Sequence, residues 1–89
     1  MNKFWESKAT KNRLLKAKSE GFTHNIDENI QNCFWVSGLT NEYIVDLNKN
    51  NITQSRCTCP DYTMNHNICK HIIYVYITEV GDPNSKISN

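Results

Sequence analysis

The stretch Cys57-Thr58-Cys59-Pro60-Asp61-Tyr62 is followed, ten residues after Cys59, by Cys69-Lys70-His71. The order is C-x-C, nine residues, then C-x-H. Zinc takes four soft or borderline ligands in a tetrahedron, with Zn–S near ~2.3 Å and Zn–N near ~2.0–2.1 Å. Residues i and i+2 of a strand point to one face, so Cys57 and Cys59 can reach one ion from a strand end. Pro60 has no N–H to donate and stops the ladder there. In a helix, i and i+2 lie about 200° apart. Cys69 and His71 therefore share an ion only if Cys69 caps a helix and His71 sits in its first turn.

That requirement bears on the residues that follow. Ile72, Ile73, Val75, Ile77, Thr78 and Val80 are β-branched, which favours a strand. The spacing Ile73, Tyr76, Ile77, Val80 also fits one helix face. A metal pinning Cys69 and His71 favours the helix over 70–80. Between the ligand pairs, residues 61–68 read as a polar loop.

Upstream, Cys33-Phe34-Trp35-Val36 is aromatic and β-branched, as a strand should be. Ser37 to Asn41 is a Gly-containing turn of hairpin length. From Glu42 to Leu47, Tyr43, Val45 and Leu47 share one face, with Ile44 and Asp46 on the other. Asn48 to Asn51 form a second turn. Ile52 to Arg56 are expected as a third strand that delivers Cys57. Residues 22–31 are ambiguous, with an alternating Phe22, His24, Ile26 followed by a turn.

Residues 2–20 predict a helix, with Trp5, Ala9 and Leu15 on a stripe flanked by Phe4 and Leu14. Gly21 is its stop. The stripe's surroundings are basic. Residues 1–20 carry six Lys and Arg against two Glu, a sum of +4, and the rest of the chain sums to −3, giving the total of +1. Three zinc-bound thiolates would shift the second part by a further −1. A total this mild does not announce a nucleic-acid binder.

The 89 residues suffice for one domain. Their 38% hydrophobic content is below the ordinary share of about 45–50%. Chains this small usually need disulfides, a metal or a partner. The N-terminus has no apolar leader, and no stretch approaches the roughly 20 apolar residues of a membrane span. An intracellular compartment, cytoplasmic or nuclear, is expected, where clustered Cys reads as metal binding. The surplus of Asn and Ile over Ala fits an AT-rich genome, such as that of a virus or protist.

The residues Cys57-Thr58-Cys59-Pro60-Asp61-Tyr62 and Cys69-Lys70-His71-Ile72-Ile73 resemble a SWIM-type zinc finger, C-x-C-x(n)-C-x-H, with Pro and Asp after the second Cys and Lys inside the last pair. Tyr43 to Leu47 is similar to the strand that commonly precedes the C-x-C. The resemblance implies strands, a zinc knuckle and a helix, and a role in DNA binding or protein interaction. It carries over no catalytic residue.

The expected protein is α+β: an N-terminal helix, a two- to three-stranded antiparallel sheet, a zinc knuckle and a C-terminal helix. The expected layout is a basic helix over 1–21 packed on the domain, a SWIM-type domain over 22–80 with its metal motif at 57–71, and a flexible tail over 81–89. The expected ligands of one structural zinc are Cys57, Cys59, Cys69 and His71. The expected partner is DNA or a protein, with no membrane and no small-molecule substrate. Cys33 is expected as a buried small hydrophobe, the alternative being a ligand in place of His71. His24 and His66 are expected at the surface, with His66 the substitute if His71 is unbound. The face holding Trp35 and Ile44 is either covered by the first helix or left as a partner site. Asp61 is a candidate either to orient His71 or to cap the turn after Pro60. The competing class is a thiol-redox enzyme using Cys57-Thr58-Cys59 or the pair Cys69 and His71. It lacks a Gly-rich phosphate loop and an acidic pair at a pocket, and so short a chain leaves little volume for one.

Overall fold

A computed structural model describes residues 3–82. Residues 83–89, most of the expected tail, lie outside the described residues. The α+β expectation is borne out, with three helices and a four-stranded antiparallel sheet in the order β1-β2-β3-β4 among the described residues.

The hairpin forms where the alternation places it. Strands β2 (Cys33–Ser37) and β3 (Glu42–Asp46) pair with Phe34 opposite Val45 and Trp35 opposite Ile44. Phe34, Val36 and Val45 are all buried, so one face of the hairpin is core. Gly38 opens the turn under Phe22. A Cβ there would stand 3.3 Å from the Phe22 ring, so a larger residue would push the hairpin tip away. The ambiguous segment 22–31 supplies a further edge strand, β1 (Thr23–Ile26), paired antiparallel to β2. The turn after it is fixed by Asp27, whose Oδ1 accepts from the backbone N–H of Asn29 and Ile30. Short Asx side chains commonly stabilise turns this way.

The expected strand over 52–56 is mostly absent. Asn48 Oδ1 accepts from the N–H of Asn50 and Asn51, and Asn51 Oδ1 accepts from Thr53. These local bonds compete with a ladder and wind Ile52–Gln54 into a 3-10 turn. Only Arg56–Cys57 remains as β4, with Cys57 opposite Val45. The polar loop over 61–68 is also corrected. Pro60–Asn65 form a short helix, α2, with Pro60 in its first turn. Proline's fixed φ suits the start of a helix as well as the end of a strand.

Residues Lys70–Glu79 form α3, capped by Cys69. Their β-branched composition is overridden by burial: Ile72, Ile73 and Val75 are fully enclosed. The helix touches the sheet and also the N-terminal helix, so it is apolar on more than one side. Each such side chain contributes about 1.5–3 kcal/mol by leaving water.

The N-terminal segment is helical in two pieces. Lys3–Glu6 make a 3-10 turn, and Lys8–Ser19 form α1. Ser7 separates them, accepting at Oγ from Thr10 N–H and donating to the Thr10 hydroxyl. The break changes the register. The buried stripe is Thr10, Leu14 and Ala17, not Ala9 and Leu15, and Leu15 is 65% exposed. Trp5 packs instead on the Tyr76 ring, 5.6 Å away. Gly21, at φ +73°, ends the helix in the left-handed region that glycine adopts without cost. Because α1 lies on α3, Trp35 stays 38% exposed, its indole N–H donating to Asp27. None of the described helices is long and apolar enough to cross a membrane.

Candidate metal centre

Three elements aim side chains at one point. Strand β4 delivers Cys57. Cys59 follows as the cap of α2, and Cys69 as the cap of α3 with His71 in that helix's first turn. The end of β4 is held by Thr58: its N–H donates to Ile44 O, and its hydroxyl accepts from Ile44 N–H. The Thr58 hydroxyl thus accepts the Ile44 N–H in the place of a strand carbonyl. The Cys59 N–H then points at Cys57 Sγ, 3.5 Å away.

The ligand atoms of Cys57, Cys59, Cys69 and His71 all lie within 4.8 Å of one another. Sulfurs held at ~2.3 Å around one zinc stand roughly 3.8 Å apart, so the group has the required span. His71 presents Nδ1, 4.0 Å from Cys57 Sγ. Its ring lies between Phe22 and Tyr43, with centroids at 5.1 and 4.9 Å. All four residues are buried, none above 7% exposed.

The electrostatics fit a cation. Cys59 forces Cys57 up to about 12 by hydrogen bonding, and burial adds to this. Cys57 and then Cys69 hold Cys59 well below the thiol range, while Cys69 is driven far up by Cys57, Cys59 and burial. Burial and mutual repulsion disfavour several thiolates together unless a positive charge lies among them. A divalent ion stabilises all three as thiolates, and the one-cluster arrangement fits a single structural zinc with no position left for water.

Other candidates fall elsewhere. Cys33 is buried on β2 opposite Asp46 and is not in the cluster, and burial with the nearby Asp27 and Asp46 pushes its thiol up. His66 is exposed at the end of α2, at φ +56°. His24 is not a surface residue: it is half-buried, with Nδ1 2.8 Å from the Tyr74 hydroxyl and Nε2 3.2 Å from Glu79. Asp61 takes neither expected role. Its Oδ2 accepts from Arg13 Nε at 3.1 Å and its Oδ1 from Asn67 at 3.0 Å. Burial raises its pKa, but Asn67 and Arg13 outweigh that and the net shift is downward. Lys70 pairs with Glu20 at 2.7 Å. Arg13 and Glu20 thus tie α1 and its C-cap to both arms of the cluster. Sequence reading missed both, because the partners are 48 and 50 residues apart and neither has a local signal.

Residues 43–79 match the SWIM zinc finger family. The match begins at Tyr43 on β3 and ends with α3, so the matching segment holds the whole cluster. It leaves out α1, β1 and β2, which enclose the core from the other side. No curated protein and no solved structure matches the chain.

Proposed function

We propose that Cys57, Cys59, Cys69 and His71 hold one zinc ion, and that the fold it organises is an interaction module whose partner is a nucleic acid or a protein. The supporting observation is the convergence of four buried donor atoms on one point. Zinc supplies positive charge and a tetrahedral crosslink, joining β4, α2 and α3. The chain's own residues place the sulfurs through the Thr58 bridge and the Cys59 N–H, and the His71 imidazole through the Phe22 and Tyr43 rings. The redox alternative is disfavoured because its thiols are enclosed, whereas exchange requires an attackable sulfur.

Nucleic acid is favoured over protein by α1. Lys8, Lys11 and Lys16 are exposed and make no ion pair among the described residues, while Arg13 and Lys18 are paired. Lys and Arg supply most sequence-independent affinity for phosphate backbones. Elemental analysis joined to circular dichroism tests the zinc reading. One zinc per chain is expected, with loss of the cooperative melt in EDTA. A metal-free sample with an unchanged melt defeats it.

A further inference from the structure

Two concavities meet beside the cluster. The larger, of about 620 Å³, lies between the end of α1, the β2–β3 hairpin tip and the start of α2. Its walls include the Phe22 and Tyr43 rings, Pro60, Leu39 and the polar side chains of Thr40 and Asn41. Leu39 stands at the hairpin tip, 99% exposed. The smaller, of about 470 Å³, runs between α1 and the cluster, lined by Asn12, Arg13, Lys16, Asp61 and Lys70 among others. Asp61 and Lys70 line both, so the two concavities are adjacent and mark out a path beside α1, with the Arg13–Asp61 and Lys70–Glu20 pairs along it. One end carries Arg13, Lys16 and Lys70 against Asp61, and the other is aromatic with Glu20 and Asp61 at its edge.

We infer that this path is a binding groove for single-stranded nucleic acid, with an unstacked base entering the Phe22–Tyr43 cavity and the flanking phosphate lying on Lys16, Arg13 and Lys70. The inference rests on the interaction-module reading above and names its partner. Arg13 and Lys70 keep their ion pairs and still have donors to give. Arg13 uses only Nε on Asp61, and Lys70 uses one of three N–H groups on Glu20. Lys16 has no acidic partner among the described residues, and Lys8 and Lys11 extend the positive charge along α1. Cationic tracks beside aromatic side chains bind single strands with little sequence preference. A duplex keeps its bases stacked and paired, so it cannot put one into a concavity without paying for its extrusion. An acidic peptide would meet the cations through carboxylates and needs a separate aromatic side chain for the cavity, whereas every nucleotide carries a phosphate and a flat ring together, which favours nucleic acid.

The test is fluorescence anisotropy of the zinc-loaded full chain with a labelled oligothymidylate of about 12 nucleotides. The matching duplex and an abasic strand of the same length are run alongside, over a salt series. The single strand is expected to bind at least about tenfold tighter than either competitor. Its log affinity is expected to fall with log salt by roughly 0.7 per phosphate contacted. Lys16→Glu is expected to weaken binding about tenfold and flatten that slope by about 0.7. Lys49→Glu, the same charge change on a loop lining neither cavity, is expected to leave affinity within about twofold. Equal affinity for the duplex overturns the groove, as does equal affinity for the abasic strand or an equal loss in both Lys variants. Zinc content and the melt are recorded on the same samples. A folded, zinc-loaded chain that binds no strand therefore overturns the groove alone, whereas a metal-free ordered chain overturns the zinc reading.

Discussion

The two halves of the molecule are ordered by different means. The segment that matches the SWIM family, residues 43–79, draws its candidate ligands from short-range features: a strand end, a proline and a helix cap within fifteen residues, Cys57 to His71. The N-terminal half is ordered by long-range contact. Thr10, Leu14 and Ala17 face α3, β1 and β2 extend the sheet, and Arg13 and Glu20 reach across to Asp61 and Lys70. A metal crosslink concentrates its free energy in four residues, whereas a packed face distributes it. Single substitutions should therefore separate the halves by magnitude.

The largest effect is expected at a ligand. Structural zinc contributes about 10–16 kcal/mol in isolated finger peptides, and whole small domains are stable by about 5–15 kcal/mol. Cys69→Ser is expected to abolish stoichiometric zinc and the cooperative melt, read by elemental analysis and circular dichroism. Cys33 is also buried but lies outside the cluster, and Cys33→Ser is the counterpart of Cys69→Ser. It is expected to keep one zinc and lose about 1–3 kcal/mol from the buried hydroxyl. Equal losses in the two variants would erase the distinction between the halves.

Acid should act on the same four residues. Zinc-bound sulfurs are thiolates and must take protons to leave, so below their unfolded pKa near ~8.5 the unfolded state binds more protons than the folded state. Stability then rises with pH up to about 8.5 and falls as pH drops. The zinc-loaded chain is expected to melt at a lower temperature at pH 6 than at pH 8, with zinc release, followed by a chromogenic chelator, tracking the loss. A flat profile would place the ordering elsewhere.

On the packed side, Leu14→Ala should cost about 2–5 kcal/mol by leaving a cavity against α3. Leu15→Ala, one residue on and exposed, should fall within about 0.5 kcal/mol. Urea melts compare them, and a reversed order would return the register to the one the sequence predicts. The smallest effect belongs to the cross-links. Arg13→Gln and Glu20→Gln each remove a partly exposed pair, at about 0.2–1 kcal/mol. A double-mutant cycle of Arg13 with Asp61 would detect a larger coupling if that pair were what positions the cluster.

The same contrast governs what could be read from the chain. The order of Cys57, Cys59, Cys69 and His71 is a local pattern with one economical geometric solution, and it forced the helical reading of α3 against its β-branched composition. The hairpin was legible for the same reason: Tyr43, Val45 and Leu47 alternate around a Gly-containing turn. The α1 stripe differs from the one the sequence predicts because Ser7 caps a new helix instead of continuing one from residue 2. The α2 turn differs because Pro60 starts a helix as well as stopping a strand. Both signals were present and local. The partners of Asp61 and Lys70 were not, since no periodicity links residues 48 or 50 apart. Likewise the third strand shrank to Arg56–Cys57 because Asn48 and Asn51 bond to nearby N–H groups, which a β-propensity count does not register.

Native mass spectrometry of the full chain, before and after chelation, with circular dichroism on the same samples, is the most direct trial. One zinc per chain is expected, its removal shifting the charge-state distribution to that of an expanded polypeptide and erasing the thermal transition. A zinc-free chain with a compact charge-state distribution and an intact transition would contradict the premise that four side chains and an ion hold this fold.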